Sequence, residues 1–289
     1  MLKYGLNYLS RILRTCVQIT RIRASRPGKL AILLTYVRCW MKHVLFVRLL
    51  KRSIDHEQIF GLKVRFFNYS TFMYLFEAVF ITQEYYFQSK SNTPLIVDCG
   101  ANVGMAILYF KLMYPQARVL AFEPDVTTFQ KLLQNVQENG LQDVTVLNFA
   151  VSDCEGEIEF FSDPTDPGSL IMSTVQQMRM PVATAKVKAV RLSTYINEHV
   201  DLLKIDVEGA EKIVLEELAK ERKLGCITEM VIEYHHHLVR NDDTLSHFLR
   251  ILEESDWGYE LAATVPETRT AFQNILVNAY AKSILKTAP

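Results

Sequence analysis

The chain has 289 residues, 49% of them hydrophobic, with 11 glycines and 9 prolines, so a packed core is expected and collagenous or disordered classes are excluded. Its five cysteines (Cys16, Cys39, Cys99, Cys154, Cys226) form no C-x-x-C spacing, which argues against a disulfide scaffold and for a reducing, cytoplasmic compartment. The balance of 32 basic and 32 acidic residues hides an asymmetry: residues 1–52 carry twelve Lys/Arg and no Asp or Glu, so the remainder is net acidic.

The basic segment contains two stretches of helical periodicity. Leu2, Leu6, Leu9, Leu13 and Cys16 fall on one helical face, with Lys3, Arg14 and Arg21 opposite. Leu30–Leu50 repeats the pattern, with Trp40 and Phe46 among its apolar residues. The longest uncharged apolar run, Leu30–Val37, is far short of the roughly 20 residues of a spanning helix. No small-residue cleavage site follows it, so neither a span nor a secretory signal is expected. A basic amphipathic helix with aromatic residues can lie on an anionic membrane surface. Packing on the rest of the chain is the alternative, and a nucleic-acid arm lacks a recognisable binding module. The expected organisation is a basic amphipathic helical arm over 1–58 and an α/β domain over 59–289.

Phe60–Tyr86, rich in Phe and Tyr, reads as a strand and then a helix bridging the two. A β/α alternation begins at Pro94. "PLIVDC" is a short apolar run of the kind buried in a parallel sheet. A helix pattern spans Val103–Tyr114 and stops before Pro115. Arg118–Glu123 is the next strand, Val126–Asn139 a helix closed by Gly140, and Val144–Val151 a third strand. "GEIEFF" and "KVKAVRL" then alternate with period two on either side of a loop, Ser162–Pro181, and predict an antiparallel hairpin. The alternation resumes with strand Asp201–Val207, a helix through Glu221, strand Ile227–His235 and a helix over Asp242–Ser255. Strands at Tyr259–Ala263 and Asn274–Ala281 close the chain. This rhythm predicts a doubly wound sheet with its ligand at the C-terminal strand ends.

The loop "VDCGANVG" (Val97–Gly104) follows the first of these strands. Asn102 stands where a dinucleotide fingerprint has the glycine that lets a pyrophosphate approach, so a ligand without phosphates fits better. Asp98 before the turn disfavours phosphate and suits a cation. Glu123, ending the next strand, can accept both hydrogens of a ribose diol. Together these residues describe S-adenosylmethionine.

"VDCGANVG", "AFEPD", "FAVSDCEGEIEFF", "VRLSTYI" and above all "DLLKIDVEGAE" resemble the FkbM family of S-adenosylmethionine-dependent methyltransferases, in matching order from Phe60 to Lys282. The resemblance implies the seven-stranded, Rossmann-like class I methyltransferase sheet. It also implies O-methylation of a hydroxyl, commonly on a sugar of a glycan, glycolipid or glycosylated natural product. Carried over, Asp98, Gly100, Asn102 and Gly104 line the methionine side of the cofactor and Glu123 takes the ribose. Ser152 and Asp153 sit near the adenine, and Asp206 faces the transferred methyl.

An alcohol acceptor must lose its proton to a base within hydrogen-bond reach. Asp206, Glu208, Glu233 and His235 are the catalytic candidates. Glu233, His235 and His237 alternate along one strand face, and with Asp206 they could instead hold a divalent ion; a metal-free base is the expectation. Lys204 reads as structural. The position after the fourth strand reads "DVEG", without the prolines and aromatic platform of base methylation, and the domain is acidic, so no nucleic acid substrate is expected. A short-chain dehydrogenase is excluded because its Tyr-x-x-x-Lys spacing occurs only at Tyr86–Lys90, before the loop. The remaining rival is a membrane-associated scaffold that keeps the fold without the chemistry.

Overall fold

The computed structural model describes residues 14–23, 26–162, 168–170, 172–175, 183–238, 244–263 and 272–283. A seven-stranded sheet forms its centre, in the order β11-β12-β10-β9-β3-β4-β5. The strands are β3 (Leu95–Cys99), β4 (Arg118–Phe122), β5 (Val144–Leu147), β9 (Val200–Ile205), β10 (Ile227–His236), β11 (Trp257–Ala263) and β12 (Gln273–Ala281). All neighbours are parallel except β12, which pairs antiparallel with both β10 and β11. This is the sheet the resemblance implies. β3 and β9 are central because "LIVDC" and "VDLLKI" are apolar on both pleat faces and are buried almost throughout.

Helices cover both faces. α3 (Met105–Met113) and α4 (Val126–Glu138) pack on one side, α5 (Glu211–Lys220) and α6 (Leu245–Glu254) on the other. The Asp125 carboxylate starts α4 by accepting from the Thr128 amide at 2.8 Å.

The apolar run 144–151, expected as one strand, is divided. β5 stays in the central sheet, while β6 (Ala150–Ser152) joins a small sheet ordered β6-β8-β7. Between them Asn148 donates through Nδ2 to the carbonyls of Glu123 and Pro124, both at 2.9 Å, which turns the chain out of the sheet. β7 (Gly156–Ser162) and β8 (Ala183–Arg191) form the expected antiparallel hairpin. Most of the loop between them lies outside the described residues, though Ser173 bridges back to Phe161.

The arm is not separate from the domain. α1 (Lys29–Lys42) continues as a π-helical stretch, His43–Leu49, and buries Ile32, Tyr36 and Cys39 in the same core as Phe72, Phe76 and Phe80. Lys42 Nζ lies 2.8 Å from the fully buried Glu57 carboxylate. The boundary at residue 58 cuts strand β1 (His56–Ile59), which pairs with β2 (Leu62–Arg65). That hairpin is tied to α4 by Asn135, which accepts from the Arg65 amide and donates to the carbonyls of Arg65 and Val103. The expectation of no membrane-length helix also changes: Lys29–Leu49 is 21 residues of hydropathy 1.5, long and apolar enough to cross a membrane by length and composition. Its charges are spaced so that no single uncharged run revealed it. Leu2, Lys3, Leu6, Leu9 and Leu13 lie outside the described residues.

Between the hairpin and β3, α2 (Tyr69–Phe76) starts at Asn68, whose side chain accepts from the Thr71 amide, and runs on as the π-helical Glu77–Thr82. Its length of aromatic core, Phe72, Phe76 and Phe80, fixes this segment over the edge of the site described next.

Candidate active site

The chain leaves β3 and β9 side by side, and their ends are pressed together. Gly100 has φ +84°, and a Cβ there would fall 1.8 Å from the Asp206 carbonyl oxygen. Only glycine permits this crossing. The amides of Gly100 and Ala101 both donate to the Phe122 carbonyl, and the Asp206 amide to that of Cys99. The loop is therefore shaped by backbone, and a cavity of about 300 Å³ opens at the strand ends.

One end of the cavity is formed by Gly100, Asn102, Phe122, Glu123, Phe149 and Val151. Glu123 is buried and accepts from the amides of Asn102 (2.9 Å) and Asp125 (3.0 Å), one on each oxygen. Each oxygen retains a second lone pair for a ligand hydroxyl. Burial pushes this carboxyl up to about 8, against the lowering effect of those two amides.

The other end carries charge. Asp98 and Lys204 are register partners on β3 and β9, so their side chains meet: Lys204 Nζ lies 3.0 Å from Asp98 and 3.5 Å from Asp206. It also donates to the Gly100 carbonyl at 2.9 Å and lies over the Tyr85 ring. Burial pulls the ammonium down, but Asp98 and then Asp206 outweigh it and hold it above its ordinary value. His235 Nδ1 is 2.8 Å from Glu211, and its Nε2 is 3.3 Å from Glu208 and 4.0 Å from Asp206. Burial lowers this imidazole, yet Glu211 and Glu208 together raise it well above its usual value. Glu233 receives a hydrogen bond from Asn274 Nδ2; burial, then the charge of Asp206, push its carboxyl up to about 8.

Gly100, Asn102 and Glu123 of the expected cofactor contacts line the cavity, as do the four catalytic candidates Asp206, Glu208, Glu233 and His235. Four others fall elsewhere. Asp98 is 0% exposed and faces Lys204, so it positions that ammonium and, through it, the glycine loop. Gly104 starts α3 and packs against Leu132. Ser152 and Asp153 lie beyond the cavity wall and hydrogen-bond to each other (3.2 Å), while Phe149–Val151 supply that wall. His237 turns away at φ +57° after β10 ends and stacks near His236, so the candidate set of Glu233, His235 and His237 does not form.

Lys204, expected as structural, is buried and holds Asp98 and the glycine loop; its partner depends on register across two strands far apart in sequence. Glu211 and the segment bearing Tyr74, Glu84 and Tyr85 have no counterpart among the sequence candidates. Glu211 carried a signal: in "DVEGAE" it opens a helix, where a carboxylate is favoured. It accepts from the Gly209 amide at 2.8 Å and holds His235 from behind. Tyr74, Glu84 and Tyr85 close the cavity from α2 and the chain after it, and no motif marks them.

A sheet of this order, with its cavity over the ends of β3, β4, β9 and β10, is that of a class I methyltransferase. The chain belongs to the FkbM methyltransferase family: the Methyltransferase FkbM domain matches residues 98–261. It is similar to Methyltransferase sdnD of Sordaria araneosa, at 30% identity over 51% of this chain and 69% of that protein. It is equally similar to Methyltransferase 1 of Beauveria bassiana, at 30% over 55% and 72%. The 2-O-methyltransferase NoeI of Sinorhizobium fredii matches at 27% over 42% of this chain and 56% of that protein. The protein is a methyltransferase.

Proposed function

We propose that the protein transfers the methyl group of S-adenosylmethionine to a hydroxyl oxygen, with a sugar hydroxyl as the acceptor class. One observation carries this reading: a single cavity joins a buried, half-satisfied carboxylate, Glu123, to a cluster of acidic side chains at Asp206, Glu208 and Glu233. The residues fit an adenosyl group. Glu123, protonated in the free protein, would ionise on binding and accept the ribose hydroxyls on its remaining lone pairs. Phe149–Val151 would strip water from the adenine, and the loop at Gly100–Asn102 would bring backbone against the methionine portion. When bound, the cofactor supplies a methyl on a sulfonium, a leaving group that needs no proton.

The chain's own task is then alignment and proton removal. Lys204, anchored by Asp98, holds the glycine loop and Asp206 in place. Glu233, fixed by Asn274 and facing the cavity, is assigned to take up the hydroxyl proton as the oxygen attacks. His235 is held between two carboxylates and positions Glu208. The acceptor class is supported by the family resemblance and by the similarity to NoeI, itself a 2-O-methyltransferase.

Calorimetric titration of S-adenosylmethionine and S-adenosylhomocysteine into wild type and Glu123→Ala tests the cofactor. Micromolar binding, weakened at least tenfold by the substitution, is expected. No binding of either would overturn the reading in favour of the scaffold. Radiolabelled methyl transfer to a panel of free and lipid-linked sugars tests the acceptor.

We further propose that the arm rests on an anionic membrane surface. Leu30, Leu34, Met41, Leu45 and Leu49 follow one another at helical spacing and are each about half exposed or more. They sit within a segment that has basic residues and no acidic ones over 1–52. The helix is docked on the domain through Ile32, Tyr36 and Lys42, which suits a surface-lying orientation. Full-length protein should sediment with phosphatidylserine vesicles and be released by high salt. Equal partitioning onto neutral vesicles, or no loss on Leu34→Gln with Leu45→Gln, would contradict this.

A further inference from the structure

We propose that Asp206, Glu208 and His235 form a binding site for one first-row divalent cation, of the class of Mn²⁺, Co²⁺ or Zn²⁺. The three residues offer one ligand atom each, all within 4.8 Å of one another. They come from the end of β9, the turn that follows it, and the end of β10.

The first argument is the state of His235. Its side chain is 0% exposed, and Nε2 faces two carboxylates, Glu208 and Asp206, a geometry that either a shared proton or a bound ion can satisfy. Ligands bound cis at about 2.1 Å lie roughly 3 Å apart. The Nε2 distances to Glu208, 3.3 Å, and to Asp206, 4.0 Å, need only small side-chain rotations to reach that spacing.

The second argument is what stands behind the ligands. Glu211, 1% exposed, holds Nδ1 of His235 at 2.8 Å. A metal-ligating imidazole is commonly oriented by such a carboxylate, which fixes the tautomer and leaves Nε2 free for the ion. Glu211 itself is anchored by the Gly209 amide. On Asp206 the two oxygens are divided: Lys204 lies 3.5 Å from Oδ2, while Oδ1 faces His235. One imidazole and two carboxylates suit a borderline divalent ion, and the remaining positions open into the cavity. The ion's existence does not depend on the acceptor. Its use rests on the hydroxyl-methylation reading: an acceptor hydroxyl reaching an open position would lose its proton to Glu233 more readily, as the C–S bond breaks and the C–O bond forms.

The alternative occupant of this geometry is a proton, with an imidazolium clamped between Glu208 and Glu211. Chelator-stripped full-length protein, without methyl donor or acceptor, distinguishes them. Mn²⁺ binding followed by loss of the free-ion paramagnetic resonance signal should show one saturable site per chain. Glu208→Gln and His235→Gln should each abolish it, and Glu211→Gln should weaken it by about 10–100-fold. Co²⁺ should give visible absorption bands that move in His235→Gln. Circular dichroism checks the fold of each variant; should His235→Gln not fold, Glu208→Gln at the partly exposed position decides. Absence of a saturable site, or a site indifferent to both ligand substitutions, overturns the proposal. Because no methyl donor is present, a failure here leaves the cofactor titration of Glu123 standing, and a failure there leaves the ion.

Discussion

The two ends of the cavity are built by different means. At the end formed by β3 and β4, backbone does the shaping: at Gly100 the Asp206 carbonyl occupies the space a Cβ would need, and amides at Asn102 and Asp125 pin Glu123. At the end formed by β9 and β10, buried charges hold one another, in the chains Asp98–Lys204–Asp206 and Glu211–His235–Glu208. Backbone constraints tolerate no side chain where none fits. Charge networks tolerate substitution only in pairs, because each charge is solvated by its partner.

Three substitutions should separate these modes, in falling order of effect. Gly100→Ala puts a Cβ into the Asp206 carbonyl at a left-handed φ, so a loss of about 4 kcal/mol or more is expected in urea unfolding, up to failure to fold. A loss under 1 kcal/mol would mean that β3 and β9 can separate freely at their ends. Lys204→Met leaves Asp98 buried without its counter-charge and should cost about 3 kcal/mol. Adding Asp98→Asn to it should recover a good part of that loss, and a double variant as unstable as the single one would contradict the pairing.

The third concerns Glu123. Its folded pKa, about 8, lies above the ordinary 4.5. Between those values the folded state keeps a proton that the unfolded chain has released, so this group's contribution to stability is full below pH 4.5 and is lost as pH rises towards 8. Relative to wild type, Glu123→Gln should therefore flatten the decline of stability across pH 5–8, by about 1 kcal/mol per pH unit. Parallel pH profiles for the two proteins would show that Glu123 is not held protonated.

These differences also explain what could be read in advance. The β/α alternation was legible because apolar runs buried on both faces have a local signature, and the strands from β3 onward fall where the runs predict, apart from the division of 144–151. That division depends on Asn148 capturing carbonyls 24 and 25 residues away, a contact without local pattern. The placement of Gly100, Asn102 and Glu123 on the cavity wall was legible for the same local reason: a tight turn after a buried strand, and an acid at the next strand's end.

The sequence by itself determined the doubly wound sheet, the glycine loop and the family, because each is written in contiguous residues whose backbone needs are met within a few positions. Tertiary structure alone decided that Asp98 faces Lys204 instead of a ligand, that the arm shares the domain's core, and that His235 meets Asp206 and Glu208 while His237 turns away. Those outcomes depend on strand register and on where a strand stops. Both are set by packing between segments tens of residues apart or more, which no local spacing records.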